Sequence, residues 1–180
     1  MTTTNVLGLG NVLMGDDGFG PAAVRAFEAE YLVGPDVNIV DVGTPGLDLM
    51  PWLADVERVI IVDTVKGHRP PGSMRLYRKA DILKHLPPAR IGPHDPGVKE
   101  ALLTLEFAGR APSEVVLVGV VPETVGMRLG LSPALRGAIP SAVYAVAVAL
   151  EKFGHEVTVR SRTRTETPWW TPPVAQQASR

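Results

Sequence analysis

Arg58-Val59-Ile60-Ile61-Val62 runs straight into Asp63. After Arg58 every residue is β-branched and apolar, with no alternation toward water. Such a run suits a central strand of a parallel sheet, covered on both faces. The neighbouring stretches extend the pattern. Asn5 to Leu9 is a short apolar run entering a glycine-rich loop, and Val37 to Val42 is a second strand. Between them, Pro21 suits the first turn of a helix, and Val24, Phe27 and Tyr31 recur at helical spacing to about Leu32. A turn at residues 43–46 leads to a short helix from Leu47 to Leu53. Downstream, Ser73 to Arg78 alternates apolar with polar residues and follows the central strand without a helix, which predicts an antiparallel edge strand. Val98, Ala101, Leu102 and Leu105 mark a helix, with Asp95 as its N-cap and Pro96 in its first turn. Glu114 to Val121 is the last strand. Ser132 caps a final helix that reaches Phe153 with a kink or break at Pro140. The sum is an α/β protein: three layers, α/β/α, around a mixed, mostly parallel five-stranded sheet.

Composition agrees with this. The chain has 180 residues, 45% apolar and 21% charged, enough for one domain with a real core. Residues 1–154 form that domain, and residues 155–180, with Arg160, Arg162, Arg164, Trp169 and Trp170, read as a flexible tail. Lys and Arg number 18 against 19 Asp and Glu, a net charge of −1. No basic excess draws the chain to nucleic acid or an anionic membrane. There is no cysteine, which excludes disulfides, thiolate metal sites and thiol nucleophiles and is compatible with the cytoplasm. No basic, apolar leader opens the sequence. The longest apolar run, Ala142 to Leu150, is far short of the ~20 residues a spanning helix needs and reads as core.

The chemistry gathers where strands end. Gly8-Leu9-Gly10-Asn11-Val12-Leu13-Met14-Gly15-Asp16-Asp17-Gly18-Phe19-Gly20 follows the first strand. The dinucleotide fingerprint G-x-G-x-x-G fails at Leu13, and two carboxylates before a helix N-terminus repel phosphate. Asp63 follows the central strand. In open α/β sheets, ligands bind outside the carboxyl ends of the strands. If the first and third strands are neighbours, Asp17 and Asp63 approach one crevice; taken alone, Asp63 reads as a helix cap or an ion-pair partner, and only beside Asp17 does a site role weigh equally. His94, between Pro93 and Pro96, could be held at the same edge or be an ordinary loop histidine. Two carboxylates and an imidazole suit a divalent transition metal with positions left open. Neither G-x-S-x-G nor H-E-x-x-H occurs, so any hydrolysis here is metal- or carboxylate-assisted.

In combination these stretches resemble the hydrogenase maturation endopeptidases. The resemblance rests on Gly8-Leu9-Gly10-Asn11 with Asp16-Asp17-Gly18-Phe19-Gly20, and on Asp41-Val42-Gly43-Thr44-Pro45-Gly46. It continues through Ile60-Ile61-Val62-Asp63, His94, Gly119-Val120-Val121-Pro122-Glu123 and Leu131-Ser132-Pro133. It covers roughly residues 5 to 153 in order and spacing.

The resemblance implies a phosphorylase/hydrolase-like fold. It also implies removal of the C-terminal extension of a nickel–iron hydrogenase large-subunit precursor once nickel is inserted. The family's metal-contacting positions fall on Asp17, Asp63 and His94. Some relatives carry glutamate where this chain has Asp17, whose reach is one methylene shorter. The nickel is expected as the mark of a loaded precursor, whether it acts in catalysis or in recognition alone. Asp16 is read as a general base or a support for the ligands, with a turn or cap role equally open, and Asp17 joins it as a catalytic carboxylate. Gly43 and Thr44 are read as lining the substrate cleft or as turn residues. The partner is the precursor, with no nucleic acid and no membrane insertion, met by a cytoplasmic monomer. A nonproteolytic nickel-binding or delivery protein is the alternative with the same ligands.

Overall fold

The structure is a computed structural model, which describes residues 3–44, 49–85 and 97–161. Strand β1 (Thr4–Leu9) leads through a 3-10 turn at Asp16–Gly18 into helix α1 (Phe19–Glu30). There follow β2 (Tyr31–Val33), β3 (Val37–Gly43), α2 (Met50–Leu53), β4 (Arg58–Thr64), β5 (Met74–Arg78) and α3 (Lys79–His85). Helix α4 (Val98–Phe107), β6 (Glu114–Val120), α5 (Pro133–Lys152) and β7 (Val157–Val159) complete the order.

The main sheet runs β3-β1-β4-β6-β5. The pairs β1–β3, β1–β4 and β4–β6 are parallel, and β5 closes the edge antiparallel to β6. This is the mixed five-stranded sheet expected from the sequence, with β4 at its centre. Alternation along the strands makes two cores. Val6, Ile60, Val62, Val118 and Val120 face α1 and α5, through Phe19, Val24, Phe27, Leu135 and Val146. Leu7, Val59, Ile61, Val115 and Leu117 face α2, α3 and α4, through Leu53, Ile82 and Leu102. Both faces of β4 are therefore covered, which is why it carries no polar alternation.

Several expectations are corrected. Helix α1 ends at Glu30, and the next residues turn to extended backbone as β2, because their partner is β7: Tyr31 pairs with Val159 and Val33 with Val157. The folded body therefore passes the boundary drawn at residue 154. His155 Nε2 lies 2.7 Å from the hydroxyl of buried Thr4, and the Arg160 amide donates to the Glu30 carbonyl at 2.8 Å. Residues 162–180, with both tail tryptophans, lie outside the described residues. Helix α4 starts at Val98 with Gly97 in its N-cap position, two residues beyond the expected cap at Asp95, which also lies outside the description. Pro140 sits inside one continuous α5. That helix is long and apolar enough to cross a membrane by composition, yet Leu135, Ala142, Val146 and Leu150 are buried in the core. Ser132 caps α5 as expected, its hydroxyl accepting the Leu135 N–H at 3.3 Å.

Candidate active site

The order in which strands are added to the sheet reverses between the parallel neighbours β1 and β4. From β1 the chain moves to β3 on one side, and it then returns to β4 on the other. Loops diverge there and leave a crevice beyond the carboxyl ends of the strands. Asp17 stands after β1, and Asp63 is the second-last residue of β4.

The glycines set how closely these pieces meet. A Cβ on Gly20 would fall 2.2 Å from the Leu9 carbonyl oxygen and 2.4 Å from that of Val62. The first turn of α1 therefore rests directly on the ends of β1 and β4. Gly10, at φ 139°, passes so close to the Asp17 carbonyl that a side chain there has no room. The glycine loop is thus wound tightly enough to bring Asp17 back over the strand that precedes it.

Asp17 and Asp63 are brought together through Thr64. The Thr64 amide donates to Asp63 Oδ1 at 2.7 Å, and its hydroxyl donates to Asp17 Oδ1 at 3.4 Å, at the long end of the hydrogen-bond range. The other oxygen of Asp17 accepts the Asn11 amide at 2.8 Å. Asp63 is buried and Asp17 half-buried. Two carboxylates held this way suit a hard or borderline divalent cation. His94, the expected third ligand, lies outside the described residues. Among the described residues no group of three His, Asp or Glu side chains is arranged to hold a metal.

Asp16 differs from its reading as a general base. Its side chain is 0% exposed. Oδ2 accepts the amides of Glu123 at 2.8 Å and Thr124 at 3.1 Å, and Oδ1 accepts that of Ser132 at 2.6 Å. Three donors occupy the carboxylate, which clamps the segment between β6 and α5 onto the glycine loop. The turn role left open in the sequence is the one its geometry fits. The clamp is reinforced by backbone bonds from Gly15 to Arg128 at 2.8 Å and from Arg128 to Leu13 at 3.0 Å. Gly43 ends β3 at φ 65° and its carbonyl accepts the Gly10 amide at 2.8 Å, so the β3 turn is tied to the same loop. Thr44 is exposed beside it; residues 45–48 lie outside the described residues.

Sequence reasoning did not identify Thr64 or the three amides that hold Asp16. Thr64 carried a signal, adjacency to Asp63. The amides carried none, since any residue supplies an N–H and only the fold brings residues 123, 124 and 132 to one carboxylate.

Comparison with known proteins agrees with this architecture. Residues 21–149 match the family model described as hydrogenase maturation protease. The chain is 35% identical over 156 residues to the hydrogenase 2 maturation protease of Escherichia coli K12, covering 86% of this chain and 94% of that one. It is 33% identical to the hydrogenase expression/formation protein HupD of Rhizobium leguminosarum, covering 86% and 77%. Its structure matches that of the hydrogenase maturating endopeptidase HybD from E. coli with a TM-score of 0.80 at 34% identity, over 88% of this chain and 98% of that chain. Sequence and fold agree over most of both chains, and the chain belongs to the hydrogenase maturation protease family.

Proposed function

We propose that this protein is the endopeptidase that removes the C-terminal extension of a nickel–iron hydrogenase large-subunit precursor. We further propose that it does so after nickel has been inserted, reading the nickel through Asp17, Asp63 and His94. The observation that carries this reading is the meeting of Asp17 and Asp63 through Thr64 at the strand ends. Family membership supports the proteolytic activity; the donor set supports the metal.

In this mechanism the nickel belongs to the substrate. The crevice carboxylates receive it, and Thr64 and the Asn11 amide hold Asp17 in place for that contact. Docking sets the scissile bond at a fixed offset from the metal. A water polarised at the site would give a proton to Asp17 as its oxygen adds to the carbonyl carbon, and that proton would pass to the leaving nitrogen as the C–N bond breaks. Asp17 is the carboxylate placed for that water, and Asp16 holds the loop. Gly43 and Thr44 border the peptide's path. A precursor without nickel would lack the anchor and stay uncut. In this reading the precursor is met by a cytoplasmic monomer; the near-neutral charge and the burial of α5 fit a protein drawn neither to nucleic acid nor into a membrane.

The test is a mass and gel-mobility assay on nickel-loaded and nickel-free precursor, with wild-type protein and with Asp17→Asn, Asp63→Asn and His94→Ala. The expected outcome is shortening of the loaded precursor alone. Each variant should reduce it by about 10²-fold or more while melting close to wild type. Cutting without nickel would keep the protease and remove the recognition step. Normal processing by all three variants would overturn the site. An intact precursor together with tight binding of free nickel would favour delivery over proteolysis.

A further inference from the structure

The charge around the crevice is divided. Asp17, Asp41 and Asp63 lie at the ends of β1, β3 and β4. On the other flank, the chain from residue 64 to residue 80 carries Lys66, Arg69, Arg75, Arg78 and Lys79 together with His68, and no Asp or Glu. This is a concentrated basic stretch in a protein of net charge −1. Lys79 is paired with Glu106, and the Arg75 guanidinium stacks 5.0 Å from the Tyr77 ring. Lys66, His68 and Arg69 are exposed, and none has an ion-pair partner among the described residues.

The loop that bears these three is held in place. The Val65 amide donates to the Val120 carbonyl at 2.9 Å, Gly72 to Val121 at 2.8 Å, and Val121 back to Ser73 at 3.0 Å. It is therefore strapped to the end of β6, immediately before the segment that Asp16 clamps. Lys66 is three residues from Asp63. A carboxylate crevice repels an anionic peptide, while this adjoining loop attracts one. Fields of opposite sign on the two flanks fix which end of a substrate lies where.

We infer that the loop of Lys66, His68 and Arg69 is a docking rim for an acidic segment of the precursor, lying beside the metal-reading crevice. The inference rests on the processing reading above. The rim selects and orients the precursor; the cut is made in the crevice. Charge pairs at such a rim act chiefly on encounter and register, and salt weakens them.

The experiment measures processing of nickel-loaded precursor by the full chain, as kcat and KM over a range of salt. The proteins compared are wild type, Lys66→Glu, Arg69→Glu, the double variant, and Lys152→Glu, which makes the same single charge reversal at the far end of α5. The double variant should raise KM roughly tenfold at low salt, hold kcat, and flatten the rise of KM with salt. Lys152→Glu should leave KM alone. If a reversal variant does not melt like wild type, Lys66→Gln/Arg69→Gln replaces it, with a smaller shift of the same sign. A double variant with wild-type KM and salt dependence overturns the rim while leaving the protease standing. An equal rise in KM for Lys152→Glu overturns it in favour of a general charge effect. A wild-type protein that leaves the precursor intact removes the processing reading itself, and the rim with it.

Discussion

Asp16 and Asp17 are chain neighbours with opposite employment. Asp16 turns inward to three amides; Asp17 turns toward the crevice and Thr64. This predicts different responses to the same isosteric change. In Asp16→Asn the amide group keeps one acceptor oxygen and presents N–H₂ where an oxygen stood. Whichever way it flips, a donor then faces a donor in a buried site. The expected cost is roughly 2–4 kcal/mol, read as a lower midpoint in urea unfolding with an unchanged slope. Asp17→Asn can still accept the Asn11 amide through its oxygen, so its cost should stay within about 1 kcal/mol while processing is lost. Wild-type stability in Asp16→Asn would remove the clamp. At this scale the sequence was legible only where chemistry is carried by residue type. That Asp17 and Asp63 follow the ends of neighbouring strands was legible in the pattern, but which of two adjacent aspartates faces the crevice depends on a turn that composition does not encode.

Helix α1 shows how an element places a site. Its first turn lies on the ends of β1 and β4 because Gly20 has no side chain. Its last turn is met by the Arg160 guanidinium, whose Nε donates to the carbonyls of Glu28 at 2.8 Å and Tyr31 at 3.0 Å. A cation at a helix C-terminus also offsets the helix dipole. Gly20→Ala would drive a methyl group into two carbonyl oxygens and force the helix off the sheet, carrying the Asp17 turn with it. The expected loss is about 3 kcal/mol or more, together with processing. Gly137→Ala in α5 is the matched control. It is helical, nothing lies within 4 Å of its new Cβ, and it should gain about 0.5–1 kcal/mol by helix propensity. Equal thermal shifts for the two would show that close approach at Gly20 is not what fixes α1. The long strands and helices were legible because burial on two faces or one stripe writes a period into the sequence. Helix α3 was not, because its core contacts are the adjacent Ile82 and Leu83, which write no three- or four-residue spacing. Strands β2 and β7 were not, because three residues carry no readable period and their pairing spans most of the chain.

At the scale of the whole molecule, the sheet separates labour between its two ends. The carboxyl ends of the strands carry the crevice and the basic loop. The opposite end is closed by the last described segment, where β7 pairs with β2, Val157 packs on the α1–α5 core, and His155 reaches the hydroxyl of Thr4. Thr4 begins β1, the strand from which the glycine loop departs, so this closure anchors the element that positions Asp17. A chain ended after Gly154 should therefore be less stable than one ended after Ser161 by about 2–4 kcal/mol. The difference combines lost hydrogen bonds at Thr4, Glu28, Glu30 and Tyr31 with the uncovering of Val157's neighbours. Comparing the two truncations isolates residues 155–161 from everything after them. The loss should appear in urea midpoints, and in faster amide exchange at the start of β1 and in the C-terminal turn of α1, both at the end of the sheet opposite the crevice. If the two chains unfold at the same midpoint, residues 155–161 add nothing to the body. The domain would then end at Gly154, where composition alone had placed it.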